Sequence, residues 1–211
     1  MIITACTFLA FAILHSITAA DWFKQRCRSL FGDAFVQVWY RLLYTILSAV
    51  TISMAFFFMA SIPDHAVMTV PPWCYWPMQG FRVLGLVLCV RAFEYLDVRE
   101  FLGARQVVRY LFESKITGNI EGLTGSGLIT KGVYGIVRHP IYLGAMMIVT
   151  CDPIVTINGL AFTMLADAYF LFGIILEERR FLAEFGDEYV TYKKKVPMLV
   201  PRLFPTRQRE R

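Results

Sequence analysis

Apolar residues along this chain gather into long runs rather than into the short alternating blocks of a soluble domain. Ile2 to Ala20 is the first run, interrupted only by His15, Ser16 and a few threonines. Leu42 to Ile62 is a second, rich in Phe and Met, and Met78 to about Tyr95 is a third. Each is long enough to cross the hydrocarbon core of a bilayer as a helix. Pro140 to Thr150 is apolar but too short to cross alone, and Asp152-Pro153 breaks it. Ile154 to Leu176 follows, with Asp167 as its one charge. Residues 140–176 therefore read as a tight helical hairpin whose first arm is extended by the segment before Pro140. The pattern predicts an all-α integral membrane bundle of about five transmembrane helices.

The polar segments between these runs set an orientation. Asp21 to Arg41 carries Lys24, Arg26, Arg28 and Arg41, whereas Pro63 to Pro77 has no Lys or Arg. That bare stretch holds Pro71, Pro72, Trp73, Tyr75, Trp76 and Pro77, an aromatic belt of the kind found at the membrane interface. Leu96 to Arg138 is polar, Gly-rich and basic, the hairpin turn is bare, and the tail from Lys193 to Arg211 is basic again. Lys and Arg favour cytoplasmic loops, so every segment is satisfied with the N-terminus outside and the C-terminus in the cytoplasm. A bacterial inner membrane is the expected host. The uncharged first run lacks a basic start and a clear cleavage site, which predicts a retained helix.

Beyond the hairpin the period changes. Phe181, Phe185, Tyr189, Tyr192 and Val196 fall at steps of four, four, three and four, one face of a helix. Glu178, Arg180, Glu184, Asp187 and Lys194 take the other face. Residues 177–196 thus predict a cytosolic amphipathic cap that Gly186 bends or ends, with the basic tail on anionic headgroups. The organisation expected is one membrane domain over 1–211. Its parts are three transmembrane helices in 1–97, a cytosolic connector in 98–138, the hairpin in 139–176, and the cap and tail in 177–211.

Composition agrees with lipid rather than water around the chain: 57% of the 211 residues are hydrophobic, 18% are charged, and mean hydropathy is +0.54. The net charge of +5 is concentrated in loops and tail, with no basic folded module to suit nucleic acid. The cysteines at 6, 27, 74, 89 and 151 are scattered and odd in number, which argues against a disulfide framework or a zinc site.

Two charged clusters flank the hairpin. Upstream is Gly132-Val133-Tyr134-Gly135-Ile136-Val137-Arg138-His139-Pro140-Ile141-Tyr142-Leu143-Gly144; downstream is Glu177-Glu178. If the chain doubles back, an Arg-His step meets a carboxylate pair at the mouth of the bundle. Ionisable groups at membrane depth are costly and point to function. Each piece alone has a blander reading. Arg138 and His139 are a juxtamembrane anchor, Glu177-Glu178 a helix-terminal pair, and Tyr134 and Tyr142 interface tyrosines. His15 reads as a residue satisfied within the bundle. Arg91 and Glu94, three apart, read as a helix pair. Gly118, Gly122, Gly125, Gly127, Gly132 and Gly135 read as loop punctuation.

Taken together, Thr130 to Pro201 resembles the isoprenylcysteine carboxyl methyltransferase superfamily. The matching text is GVYGIVRHPIYLG, an apolar hairpin with a Pro turn, then EERRFLAEFGDEYVTYKKKVPMLVP. The front half resembles two bacterial branches, the NnrU-type membrane proteins and the methanethiol S-methyltransferases. His15-Ser16 with Trp22 and Lys24, Tyr40-Arg41-Leu42-Leu43-Tyr44, and Phe101-Leu102-Gly103-Ala104-Arg105-Gln106 carry that likeness.

The resemblance implies a methyltransferase that uses S-adenosylmethionine in a pocket roofed by the cap. The acceptor is a small molecule or lipid-like compound that enters from the bilayer, and no obligatory protein partner is implied. Tyr134, His139, Pro140, Tyr142, Leu143, Gly144, Glu177 and Glu178 are the expected cofactor-binding residues, with Arg138 and Glu178 as the expected catalytic pair. Their chemistry suits the cofactor: Arg or His meets its carboxylate, and Glu meets its ammonium or hydroxyls. Methyl transfer is an in-line displacement, so positioning and dehydration supply most of the rate. The stretch Phe172 to Leu176, before the Glu pair, is uncharged. The eukaryotic enzymes of the superfamily carry a longer charged run there, which weighs against a prenylated-protein substrate. The competing readings are isoprenylcysteine carboxyl methylation, an NADPH-dependent reductase of the sterol-reductase type, which shares a related RHPxYxG hairpin, and a non-enzymatic membrane factor.

Overall fold

The computed structural model describes residues 1–116 and 127–202, and 76% of them are helical. Gly118, Gly122 and Gly125 of the connector and Arg207, Arg209 and Arg211 of the tail lie outside the described residues. In chain order the elements are α1 (Ile2–Ala19), α2 (Asp21–Phe31), α3 (Asp33–Ala60), β1 (Ala66–Thr69), α4 (Pro72–Phe93), α5 (Val98–Phe101), α6 (Ala104–Glu113), a 3-10 turn at Gly132–Gly135, α7 (Pro140–Thr150), β2 (Ile154–Thr156), α8 (Ile157–Phe185) and α9 (Asp187–Lys195). Among the described residues, three helices are long and apolar enough to cross a membrane: α1, α3 and α8. Residues 56–58, three consecutive phenylalanines of α3, are each half or more exposed, as lipid-facing side chains are.

The chain divides into two compact units. The first comprises Met1–Pro71, Leu96–Gly127 and Pro153–Tyr169. The basic stretch after α1, read from the sequence as a loop, is helical. Asp21 sits in the first turn of α2 and Arg28 in its last, each matched to the helix dipole. Gly32, at φ +85°, ends α2 and lets α3 begin at Asp33, well before the expected start at Leu42. Val36 and Tyr40 are buried there among Phe23, Cys27, Phe35 and Tyr44, and the Tyr40 hydroxyl donates to the Thr18 carbonyl at 2.5 Å.

The polar stretch after α4 is also more ordered than a loop. Asp97 caps α5 by accepting from the Glu100 N–H. Gly103, at φ +85°, turns the chain into α6 directly against α3: a Cβ there would lie 2.3 Å from the Leu42 nitrogen. At the other end of this unit β1 and β2 form a small antiparallel ribbon with one irregularity in register, which the all-helical reading did not include. Asn158 anchors that end. Its Oδ1 accepts from Thr4 at 2.8 Å, its Nδ2 donates to the Pro63 carbonyl at 3.3 Å, and its N–H donates to Asp64 at 3.1 Å.

The second unit comprises Pro72–Tyr95, Leu128–Asp152 and Phe170–Arg211. The aromatic stretch 72–77 is the opening of α4 rather than a loop, because Pro at the first turn costs no hydrogen bond. Helices α4 and α7 pack through glycines. A Cβ on Gly85 would sit 2.6 Å from the Gly144 carbonyl oxygen, and one on Gly144 2.5 Å from the Gly85 oxygen. Such close backbone approach needs small residues. Arg82 pairs with Asp152 at 3.4 Å, and Arg91 with Glu94 at 3.0 Å, the helix pair expected from spacing. The first hairpin arm is not extended upstream, since the residues before Pro140 form a 3-10 turn and a bend. Gly132 has φ +60°, and a Cβ on it would overlap the Tyr95 ring. Nor is the cap one helix. Glu177 to Phe185 continues α8, and Gly186 at φ +51° starts α9 afresh. The predicted face nonetheless holds: Tyr189, Tyr192 and Val196 are buried together with Phe181, Phe185 and Leu128.

Candidate active site

Pro140 is the first residue of α7, where its missing N–H would have had no helical partner. His139 is the residue before it, outside helical geometry and 3% exposed. The return helix α8 brings Glu177 and Glu178 to this point. His139 Nδ1 lies 3.4 Å from Glu177, and Nε2 lies 3.4 Å from Glu178. The imidazole thus sits between two carboxylates, which hold its ring plane from both nitrogens.

Arg138 is 8% exposed and reaches Glu178 with two nitrogens, Nε at 2.8 Å and Nη2 in a shorter contact. Its remaining donor, Nη1, goes to the Val196 carbonyl at 2.5 Å and the Lys193 carbonyl at 3.4 Å. The guanidinium is therefore spent inside the protein. It ties α8 to the chain beyond α9. Lys193 adds a second cation on Glu178, at 2.7 Å from its other oxygen. Sequence reading placed Lys193 in a basic tail on lipid headgroups; the structure puts it in the site, and no feature of the Lys193-Lys194-Lys195 run singles it out.

The segment after α9 crosses over the Arg-His step. The Arg138 N–H donates to the Pro197 carbonyl at 2.9 Å, and the His139 N–H to the Met198 carbonyl at 3.2 Å. The Tyr192 hydroxyl donates to the Tyr134 carbonyl at 2.6 Å. Burial pushes the Tyr192 phenol up to about 12 against the pull of Arg138, so it stays a neutral donor. Burial raises the Tyr134 phenol too, with Glu177 adding to it, and raises Tyr189 with Glu178 beside it.

The other expected residues take distinct places. The Tyr142 ring stands edge-on between His139 and Phe170, with centroids 5.8 and 6.1 Å away. Leu143 is half-buried, and its N–H donates to the His139 carbonyl at 3.0 Å. Gly144 faces Gly85 and Cys89 in the α4–α7 contact. The structure thus brings Glu178 within bonding distance of both Arg138 and His139 and Glu177 within reach of His139, lines them with Tyr134 and Tyr142, and turns Gly144 toward α4.

The chain is similar along nearly its whole length to methanethiol S-methyltransferase 2 of Bradyrhizobium diazoefficiens, with 32% identity over 203 residues that span 94% of this chain and 72% of the relative. It belongs to the methanethiol S-methyltransferase-like branch of the isoprenylcysteine methyltransferase superfamily. Methanethiol S-methyltransferase of Pseudomonas deceptionensis is 28% identical over 203 residues, spanning 92% of this chain and 70% of its own. Protein-S-isoprenylcysteine O-methyltransferase B of Arabidopsis thaliana is 36% identical over 80 residues, 35% of this chain and 39% of its own. No family model matches the chain, and no solved structure matches it. Like its relatives in this branch, the chain is a methyltransferase, and its apolar helices make it an integral membrane enzyme.

Proposed function

We infer that this membrane methyltransferase takes its methyl group from S-adenosylmethionine and transfers it to a small hydrophobic thiol or a lipid-like acceptor, a thiol being favoured. The observation that carries the reading is the meeting of His139 with Glu177 and Glu178 in a chain alike, almost end to end, to enzymes named for methylating methanethiol. The same cluster fits the cofactor chemically. Glu177 is the more exposed of the two acids, at 23% against 14% for Glu178, so it has an edge to offer an ammonium or a ribose hydroxyl. The bound cofactor would supply an electrophilic methyl carbon on a sulfonium.

The chain's own residues bind and orient. Glu177 and His139 form the polar edge of the site. Arg138 and Glu178 act as a positioning pair, because the guanidinium is committed to Glu178 and to two carbonyls. Tyr134 and Tyr142 wall the site and exclude water, and Leu143 adds an apolar surface. Pro140 starts the helix that presents His139, and Gly144 lets that helix seat against α4. Residues 1–211 act as one enzyme domain. Five membrane crossings, with α4 and α7 joining α1, α3 and α8, put the site and the C-terminus on the cytoplasmic side of a bacterial inner membrane, with the acceptor arriving through the bilayer.

Binding of S-adenosylhomocysteine to purified enzyme, read by calorimetry, tests the cofactor. Affinity should fall at least about tenfold, or about 1.4 kcal/mol, in His139→Ala and in Glu177→Gln. Unchanged affinity in both variants, or competition by NADPH where S-adenosylhomocysteine has no effect, overturns the reading. Transfer of labelled methyl to methanethiol, prenylcysteine and phospholipid amine then ranks the acceptors.

A further inference from the structure

Two surface helices of the first unit leave apolar faces uncovered beside unmatched cations. Both belong wholly to that unit: α2 follows α1, and α5 and α6 lie within Leu96–Gly127. Both are fixed to the opening of α3. Phe23 and Cys27 of α2 pack on Val36 and Tyr40. Arg41 Nε donates to the Phe101 carbonyl at 2.7 Å, and Gly103 brings the start of α6 against the Leu42 backbone. Leu42 is where the apolar run of α3 begins. The two helices therefore stand at the level where a helix able to cross a membrane passes from polar to apolar surroundings.

Their outer faces do not suit water. In α6, Val108, Leu111 and Phe112 fall at i, i+3 and i+4 and share one face. They are 51%, 59% and 83% exposed. The buried residues of the helix are Gln106 and Val107, and Gln106 donates to the Glu100 carbonyl at 3.1 Å. A polar side chain thus turns inward while the broadest apolar face turns outward, the reverse of a helix that covers a soluble core. In α2, Trp22, Arg26 and Leu30 recur every fourth residue and form one exposed strip, with Trp22 at 61% and Leu30 at 65%.

The charges on these segments do not balance. Each acid already has a cation: Asp21 has Lys24 at 3.1 Å, Asp33 has Arg28 at 3.4 Å, Asp97 and Glu100 share Arg105, and Glu113 has Lys115 at 3.9 Å. Arg26, Arg99 and Arg109 have no ion-pair partner among the described residues. Arg26 lies between Trp22 and Leu30 on its strip, and Arg109 lies three residues before Phe112. Long basic side chains so placed keep their stems on apolar surface and carry their charge to the headgroups. An amphipathic helix with a basic edge and aromatic or leucine side chains lies in the interfacial layer. A second copy meeting this face about a twofold axis would instead set the same unmatched arginines against each other.

We propose that α2 and α5–α6 form a binding surface for anionic phospholipid, continuous with the lipid around α1 and α3. Trp22, Leu30, Val108, Leu111 and Phe112 enter the interfacial layer, and Arg26, Arg99 and Arg109 meet the negative headgroups. The surface is independent of the methyl donor and the acceptor.

The test uses full-length enzyme in nanodiscs of equal phosphatidylcholine and phosphatidylglycerol, with p-benzoylphenylalanine in place of Phe112 or, separately, of Trp22. Illumination should couple both positions to lipid. The adducts should hold phosphatidylglycerol over phosphatidylcholine by about fivefold, which is what one cation of about 1 kcal/mol at the surface gives. Arg109→Gln should return the ratio at 112 towards one, Arg26→Gln should do so at 22, and Arg109→Lys should keep it. Salt of about 1 M should lower the wild-type ratio, since the screening length is then about 3 Å. Adducts to a second copy of the chain, or none to lipid at either position, overturn the surface. Lipid adducts that match the bilayer composition and ignore both Gln variants overturn the anionic preference and the proposal with it. So does a ratio that falls equally in Arg109→Gln and Arg109→Lys, which reports the fold and not the charge.

Discussion

The two units of this enzyme each hold a polar cluster, and the clusters are made differently. In the second unit the groups are formal charges: Arg138 and Lys193 on Glu178, with His139 between two acids. Around His15 in the first unit, the direct partners are neutral hydroxyls, Ser48 and Tyr44. The charged cluster comes from two compact motifs and a tail, the neutral one from two separated helices, α1 and α3. A buried ion pair costs desolvation and recovers it only when every partner is present. A neutral network asks less and gives less per bond. The units should therefore fail differently when one partner is removed.

The largest effect is expected at Arg138. Arg138→Met leaves Glu178 mostly buried, without the guanidinium that holds its Oε1 from two nitrogens, and frees the Val196 and Lys193 carbonyls. Breaking such a pair costs about 3–5 kcal/mol. The matching change in the first unit, Ser48→Ala, removes one neutral bond and should cost about 0.5–1.5 kcal/mol. Thermal or denaturant unfolding in one detergent measures both. Equal losses would erase the contrast between the units.

Next come the glycines. Gly103→Ala places a Cβ against the Leu42 backbone and asks alanine to hold φ +85°. Overpacking costs about 1–3 kcal/mol, and the left-handed backbone adds about 1–2 kcal/mol. Gly144→Ala meets the Gly85 oxygen and the Cys89 sulfur but needs no positive φ, so overpacking alone applies. Gly103→Ala should therefore be the more destabilised of the two. The reverse order would mean that the α4–α7 contact tolerates less adjustment than the turn into α6.

These contrasts also explain what could be read from the sequence. The Arg138-His139 step and Glu177-Glu178 are contiguous and charged in apolar surroundings, so their meeting was predictable once the hairpin was recognised. The face of Phe181, Phe185, Tyr189, Tyr192 and Val196 was legible because helical period survives a glycine that breaks the helix. Helices α2 and α6 were hidden, because charged amphipathic helices at a membrane surface resemble basic loops in composition. The β1–β2 ribbon pairs residues some ninety positions apart, a distance over which local pattern carries no signal. Lys193 was indistinguishable from its two neighbours, since only tertiary packing selects one lysine of three. His15 was read as satisfied within the bundle, and both its nitrogens are bonded; the identity of Ser48 as partner needed the α1–α3 register.

The smallest effect is at Tyr192, and it separates the tail's hold from the charges beneath it. Tyr192→Phe removes the bond to the Tyr134 carbonyl at a cost of about 0.5–1.5 kcal/mol. The distinguishing signature is alkaline. Burial raises the folded-state phenol from the ordinary tyrosine value to about 12, so its stabilising contribution is complete below pH 10 and is lost as pH climbs from about 10 to about 12. Tyr134 and Tyr189 are raised as well, so wild type alone cannot assign the loss. The difference between wild type and Tyr192→Phe can, because it cancels their shared titration. That difference should be constant up to pH 10 and should diminish above it. A difference that stays flat to pH 12 would mean that Tyr192 contributes packing alone, leaving Arg138 and the Pro197 and Met198 backbone bonds to hold the tail over His139.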